Sequence, residues 1–227
     1  MDSPAADPSA FVRASRGADG KSYLTWIESQ GELARLKFAS YQGKQWSASR
    51  LIAQGSNWFV NWADLPTMSA LADGTLAACW LERLGEGTYA YGIRMVWSKD
   101  AGETWSDPQW LHDDRQPTEH GFVSLAALDD SRFLATWLDG NSLEKSGNMQ
   151  LRSTWFDTDG GRGDEVVVDP RVCECCATSL VVGEEETVVA YRDRSQDEIR
   201  DIYFSRRSAN GWSKVRACHD DGWKMPG

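Results

Sequence analysis

Four short stretches decide how this chain folds: Leu24-Thr25-Trp26-Ile27-Glu28, Ala78-Cys79-Trp80-Leu81-Glu82, Ala135-Thr136-Trp137-Leu138-Asp139 and Val189-Ala190-Tyr191-Arg192-Asp193. Each carries an aromatic residue at its centre and a carboxylate two residues later, which in a β-strand places both on one face. The aromatics stand at 26, 80, 137 and 191, that is 54, 57 and 54 residues apart, and self-similarity at a near-constant period marks a repeat architecture. A turn precedes each stretch, at Asp19-Gly20, Asp73-Gly74, Asp129-Asp130 and Gly183-Glu184. Three of these turns follow an apolar strand: Met68-Ser69-Ala70-Leu71, Val123-Ser124-Leu125 and Ser179-Leu180-Val181-Val182. Strand, turn and strand read as a hairpin. A third strand follows, then a Trp-Ser pair at Trp46-Ser47, Trp105-Ser106 and Trp212-Ser213, with the third repeat degenerate between Trp155 and Gly161. Four strands per unit fit one propeller blade better than the strand pairs of a sandwich. The expected blades run over 9–55, 62–113, 118–170 and 173–220, with 221–227 leading into a fifth, so the chain reads as one incomplete propeller domain. Its last blade is expected to leave an edge and an apolar face open, a route to self-association.

Composition agrees with an all-β fold. The 227 residues, 41% of them hydrophobic and 26% charged, can bury a core, which excludes disorder. Twelve Trp with 20 Gly and only 7 Pro suit short twisted strands joined by tight turns, with indoles filling the space between sheets. No apolar pattern of helical period runs beyond two turns, so helix is expected to be minor. With 34 acidic residues against 24 basic ones, the formal net charge of -10 repels phosphate backbones, which argues against a nucleic-acid partner. No apolar run is long enough to span a membrane. The start, Met1 to Pro8, lacks the charged-then-apolar order of a secretory signal peptide.

Ser98-Lys99-Asp100-Ala101-Gly102-Glu103-Thr104-Trp105 is one complete copy of the pattern S-x-D-x-G-x-T-W and resembles the Asp-box of bacterial neuraminidase repeats. Several further strings resemble the sialidase-like, BNR-repeat group of exported bacterial proteins: Trp58 to Asp64, Pro117 to Leu125, Trp137 to Gly140, Val172 to Cys176 and Tyr191 to Ser195. The resemblance implies a sialidase-type six-bladed propeller, four blades of which are in this chain, and a periplasmic or secreted location. It also implies that the Asp-box is architectural: its Asp ties a turn between the third and fourth strands and its Trp packs between blades. Sialidases of this kind use a Tyr nucleophile and three arginines that hold the substrate carboxylate. Here the first of those arginines could only be Arg13, three residues late against the repeat, and Ser29-Gln30-Gly31-Glu32 offers glutamate where an acid Asp is expected. The Tyr and the last arginine would lie on blades outside this sequence, so the full exo-sialidase set is not expected within it.

The repeat also maps residues onto one rim of the funnel. Before the first strands stand Asp64, His120 and Cys175, which lie 16, 17 and 16 residues ahead of their aromatics and are flanked by Asn61, Glu119, Cys173 and Cys176. At the ends of the second strands stand Glu28, Glu82 with Arg83, Asp139, and Asp193 between Arg192 and Arg194. Carboxyls in different protonation states beside guanidinium forks suit a glycoside hydrolase or a binding site for an acidic or acetylated glycan. Asp64, Glu119, His120, Asp139, Arg192, Asp193 and Arg194 are therefore the candidate catalytic residues. The competing reading makes the repeated carboxylates consensus positions that serve the blades themselves. His112 and His219, at the ends of fourth strands, are expected on the surface.

Five cysteines stand at 79, 173, 175, 176 and 218. Cys79, between Ala78 and Trp80, reads as a small core residue. Cys173-Glu174-Cys175-Cys176 packs three thiols into four residues and leaves three readings open. They can hold a soft metal, Zn or Cu(I), with Glu119, His120 or Asp64 as a fourth ligand; they can form a disulfide, local or to Cys218; or they are inert. A non-catalytic exported propeller using this cluster, or serving as a protein-interaction scaffold, is the alternative to the glycan reading.

Overall fold

Each repeat folds into one antiparallel sheet whose strands lie side by side in chain order. The computed structural model describes residues 2–41, 43–218 and 221–224; His219 and the end of the expected lead-in, 225–227, lie outside the described residues. The first sheet contains β1 (Ser9–Arg16), β2 (Ser22–Gln30), β3 (Leu33–Tyr41) and β4 (Arg50–Gly55). The second contains β5 (Thr67–Ala70), β6 (Leu76–Arg83), β7 (Tyr91–Ser98) and β8 (Gln109–Trp110). The third contains β9 (His120–Ala127), β10 (Arg132–Asp139), β11 (Met149–Asp157) and β12 (Val166–Val172), with a single helical turn, α1 (Leu143–Ser146), between β10 and β11. In the fourth, β13 (Ser179–Val182), β14 (Thr187–Arg192) and β15 (Ile202–Ser208) are closed by two short pieces, β16 (Gly211–Trp212) and β17 (Arg216–Ala217), both paired to β15. The four sheets are four blades of a propeller.

The second strand of each blade explains why simple polar and apolar alternation is absent. Leu76 to Leu81 on β6 are all buried, because a blade packs against a neighbour on both faces and its middle strands have no wet side. Leu76, Ala78 and Trp80 join Ile27, Leu36, Phe38 and Ile52 of the first blade. The intervening Ala77, Cys79 and Leu81 join Val123, Phe133, Ala135 and Trp137 of the third. The same alternation sends Leu138 and Leu151 forward to Val189 and Tyr191 of the fourth blade. Cys79 is thus core, as its sequence context predicts. Each repeat aromatic points back toward the preceding blade. Trp26, which has no earlier blade in this sequence, is 1% exposed and lies beside Ser3, Pro4 and Ala5 of the N-terminal segment.

The repeated turns and Trp-Ser pairs have local causes. The Asp19, Asp73 and Asp129 carboxylates accept the backbone N–H groups of Lys21, Thr75 and Ser131, closing the hairpins between first and second strands. Between third and fourth strands, the hydroxyls of Ser47, Ser106 and Ser213 accept the N–H groups of Ser40, Trp97 and Arg206. The backbone N–H groups of the same three serines bond back to the carbonyls of Ser40, Trp97 and Arg206. In the third blade Gly163 takes this place, keeping only the backbone bond to Trp155, which is why that repeat looks degenerate.

The Asp-box sits between β7 and β8. Asp100 accepts from the Ser98 and Thr104 hydroxyls and from the Thr104 N–H, and these bonds hold its carboxyl at about 2. Trp105 packs edge-on against Phe38 of the first blade, with ring centroids 5.9 Å apart. Gly102 adopts φ +88, and a Cβ there would lie 2.4 Å from Phe38 Cζ. Gly102→Ala therefore forces both backbone strain and overpacking, and is expected to lower unfolding free energy by roughly 2–4 kcal/mol in a denaturant titration. An unchanged midpoint would show that the Asp-box turn does not set the spacing of the first two blades.

Candidate functional site at the funnel rim

The first strands of adjacent blades stand side by side, β1 by β5, β5 by β9 and β9 by β13, around an axial cavity of about 470 Å³ lined by residues such as Arg13, Ser69, Ser124, Leu125 and Ser179. Because β9 and β10 are antiparallel, His120 at the start of one pairs with Asp139 at the end of the other. Trp58 bridges to Glu82 at the same place in the second blade, and Val172, the last residue of β12, bridges to Asp193 in the fourth. The predicted residues therefore share one rim, but they divide into separate groups along it.

Three of the four repeated carboxylates serve their own blade. The third-strand residue opposite the repeat aromatic is Lys37, Arg94 or Arg152 in the first three blades. Each base meets the carboxylate two residues beyond the aromatic: Glu28 at 2.7 Å, Glu82 at 3.0 Å and Asp139 at 3.5 Å. The indole N–H groups of Trp26 and Trp137 also donate to Glu28 and Asp139. In the fourth blade Tyr203 stands opposite Tyr191, so Asp193 has no base at that position. Burial, with the charges of Asp169 and Asp201, raises its carboxyl to about 6 against the opposing Arg194 N–H and Arg171.

His120 is the first residue of β9, not a loop residue, and its ring is fully buried. Its Nδ1 lies 3.1 Å from Asp139, its Nε2 lies 3.1 Å from the Thr118 hydroxyl, and its ring stacks on His112 at 4.1 Å. Burial would raise Asp139, but the hydrogen bond and charge of His120, with Trp137 and Arg152, outweigh it and bring the carboxyl to about 2. His112 is also fully buried, contrary to the surface position expected for it. Its Nε2 accepts the Ile93 N–H at 3.0 Å, and burial together with His120 lowers it to about 3. This pair of rings is sealed between the second and third blades.

A second group lies nearer the axis. Asp64 is 4% exposed; one oxygen accepts the Phe122 N–H at 2.7 Å and the other has no hydrogen-bond partner. It packs against Gly121, where a Cβ would lie within 3 Å of both Asp64 and Tyr91. The Tyr91 hydroxyl donates to Glu119 at 2.6 Å. Burial, and then the charge of Glu174, raise the Glu119 carboxyl. Arg13, most of whose surface is covered, donates to the Val123 carbonyl at 3.2 Å and opposes the rise of Asp64.

The third group is on the fourth blade. Cys173, Cys175 and Cys176 are free thiols, with Cys173 Sγ 3.8 Å from Cys175 Sγ and 3.5 Å from Cys176 Sγ. Arg192 Nη1 reaches Cys176 Sγ at 3.8 Å and Arg200 Nη1 reaches Cys173 Sγ at 3.6 Å. The hydrogen bond from Cys176 does most to lower the Cys173 thiol, to about 5. Arg194 pairs with Glu174 and Glu198, and Arg200 bridges the same two glutamates. Beside this group lies a cavity of about 560 Å³ whose walls include Cys176, Tyr191, Arg192, Arg200 and Trp223. Arg200, Glu174, Glu198 and Tyr91 were not among the sequence candidates. Arginines at 192, 194 and 200 within nine residues are the sequence signal that could have found Arg200 and its glutamate partners, but the Tyr91–Glu119 contact joins two blades and has no local signal.

The raised Asp64 carboxyl has a consequence for stability. Burial, aided by Glu119 and opposed by the Phe122 N–H and Arg13, places it at about 7, while an unfolded Asp titrates near pH 4. Between those values the folded state keeps a proton that the unfolded chain has released, so stability falls as pH rises and the full loss is present above 7. Asp64→Asn is expected to flatten this stretch of the profile and to gain roughly 1–4 kcal/mol at pH 8. Parallel profiles for the two proteins in chemical denaturation would contradict the assignment.

Comparison with known proteins places these features in a wider group. No curated protein sequence matches the chain. Among solved structures it is similar to an α-L-arabinanase from Penicillium chrysogenum complexed with arabinobiose, at 14% identity and TM-score 0.56, covering 90% of this chain and 62% of that one. It is also similar to a neuraminidase-like protein from A/bat/Guatemala, at 11% identity and TM-score 0.56, covering 91% and 53%. An ulvan lyase bound to a GlcA(1-4)Rha3S segment matches at 11% identity and TM-score 0.52, covering 94% and 58%. The chain thus spans less than two thirds of each, and at these identities the likeness is one of fold. The family model of the BNR repeat-like domain matches residues 32–221. Those residues include all of the second and third blades and the strands of the fourth, with the Asp-box and the Trp-Ser turns, and the chain therefore belongs to the BNR repeat-like domain family.

Proposed function

We propose that this propeller takes an acidic sugar at its funnel rim, on the fourth blade, as part of a glycan-binding or glycan-cleaving protein. The observation that carries the reading is the cavity of about 560 Å³ that brings the Arg192 and Arg200 guanidiniums together with the half-exposed Trp223 indole. Guanidinium forks match a carboxylate or sulfate bidentately, and an aromatic face covers the apolar side of a sugar ring. Arg194, paired with Glu174 and Glu198, stands beside them. Asp193, at about 6, is the carboxyl beside the arginines that keeps a proton closest to neutral pH, as a general acid at a glycosidic oxygen must, and burial raises Glu119 in the same direction. Asp64 stands behind Glu119 and Tyr91, while the sealed His120–Asp139 pair fixes the rim beneath them. Of the similar structures, the ulvan lyase holds a uronate- and sulfate-bearing segment and the arabinanase holds a neutral disaccharide. The arginines favour the acidic class.

The test is calorimetric titration with glucuronate-terminated and N-acetylneuraminate-terminated oligosaccharides, with arabinobiose as the neutral comparison. At least one acidic ligand is expected to bind and arabinobiose is not. Arg192→Ala is expected to weaken the acidic ligand roughly 10- to 100-fold, the loss of a charge-assisted contact. Equal binding of arabinobiose, or acidic binding unchanged by Arg192→Ala, would overturn the reading.

A further inference from the structure

At the edge of the sugar cavity, the thiols on the fourth blade form a cluster whose geometry is that of a ligand set. Cys173, Cys175 and Cys176 lie on one turn, and their sulfurs all fall within 4.8 Å of one another. Three sulfurs around an ion at metal–sulfur bonds of about 2.3 Å stand about 3.8–4.0 Å apart, close to the 3.8 Å and 3.5 Å between Cys173 and its two neighbours. The turn is anchored from below by the Cys173 N–H, which donates to the Arg192 carbonyl at 3.0 Å. Cys173 is buried, Cys176 half-buried and Cys175 exposed, so the cluster has a fixed floor and one side open to an incoming ion.

Charge and ligand count select the ion. Among the described residues, no His, Asp or Glu places a ligand atom in this group, so the fourth-ligand roles considered for Glu119, His120 and Asp64 are not in place. Structural zinc takes four ligands, whereas a soft monovalent d¹⁰ ion is satisfied by few thiolates. Three thiolates around a monovalent cation carry two net negative charges. The Arg192 guanidinium, on Cys176 at 3.8 Å, offsets one of them, while Arg200, on Cys173 at 3.6 Å, is shared with Glu174 and Glu198 and acts as an N–H donor to the sulfur. Their N–H groups are outer-shell donors of the kind that orient metal ligands.

We propose that Cys173, Cys175 and Cys176 bind one cuprous ion, with Arg192 and Arg200 as N–H donors to the thiolate sulfurs. Binding forms three Cu–S bonds and releases the protons of whichever thiols are still protonated, with no change of oxidation state. The site adjoins the sugar cavity and shares Cys176, Arg192 and Arg200 with it, but its ligand atoms are the three sulfurs.

The experiment is anaerobic competition of the reduced chain with a coloured Cu(I)–bathocuproine disulfonate complex. The wild type is expected to withdraw one equivalent of Cu(I), as is Cys218→Ser. The double variant Cys175→Ser, Cys176→Ser is expected to withdraw none; should that variant fail to fold, Cys175→Ser alone, at the exposed position, serves the same purpose. Arg200→Ala is expected to lower affinity roughly 10-fold or more, with partial recovery in Arg200→Lys. Uptake by a folded triad variant, refusal of Cu(I) by the wild type, or one equivalent of Zn(II) held in preference to Cu(I) would overturn the proposal. Trp223→Ala is expected to weaken the acidic sugar without affecting copper uptake, so failure of either site leaves the other standing.

Discussion

The structure depends on one constraint: the face of each second strand that carries the repeat aromatic must be dry, and in the second and third blades both faces are. Each carries an aromatic residue, Trp26, Trp80, Trp137 or Tyr191, that is at most 3% exposed. Burying an aromatic of this size contributes roughly 4–6 kcal/mol as an upper bound. No single blade supplies that cover: Trp80, Trp137 and Tyr191 lean on the blade before them, and Trp26 on the N-terminal segment. From this follow the fixed repeat length, the parallel run of first strands about the axis and the convergence of strand ends on one rim. The site is a by-product of the packing, because whatever stands beside the repeat aromatic is delivered to that rim.

The same constraint explains how the repeated carboxylates are used. An indole N–H buried between blades needs an acceptor, and a carboxylate two residues on is within its reach in the first and third blades. The lysine or arginine across the sheet then balances the charge. Where the aromatic is Tyr191, its hydroxyl finds Asp169 instead, at 2.6 Å, and the opposite position is Tyr203. Asp193 is thereby released from the task its equivalents perform. The departure from the repeat coincides with the arginine-rich loops and the thiol turn, so the fourth blade combines consensus architecture with the least consensual chemistry.

Much of the fold was legible because its determinants are local. The Asp turns, the Trp-Ser pairs and the aromatic-x-carboxylate strands each read directly as hydrogen bonds within one blade, and even the failed third copy is explained by Gly163. What the sequence concealed depends on contacts between blades. His120 and His112 are 8 residues apart, but only the seam between the second and third blades shows that they stack out of solvent. Tyr91 carries no repeat signature, yet it links Glu119 to Asp64. The thiol cluster is visible as a motif; the sulfur spacing and the adjoining guanidiniums, which support the metal reading, are not.

We propose that the fourth blade, and not the repeat in general, forms the ligand face. Amide hydrogen exchange in the presence and absence of a glucuronate-terminated oligosaccharide tests it most directly. Added protection is expected over 190–204, with little change over 9–55. Protection spread evenly over the four blades, or confined to the first, would contradict the account.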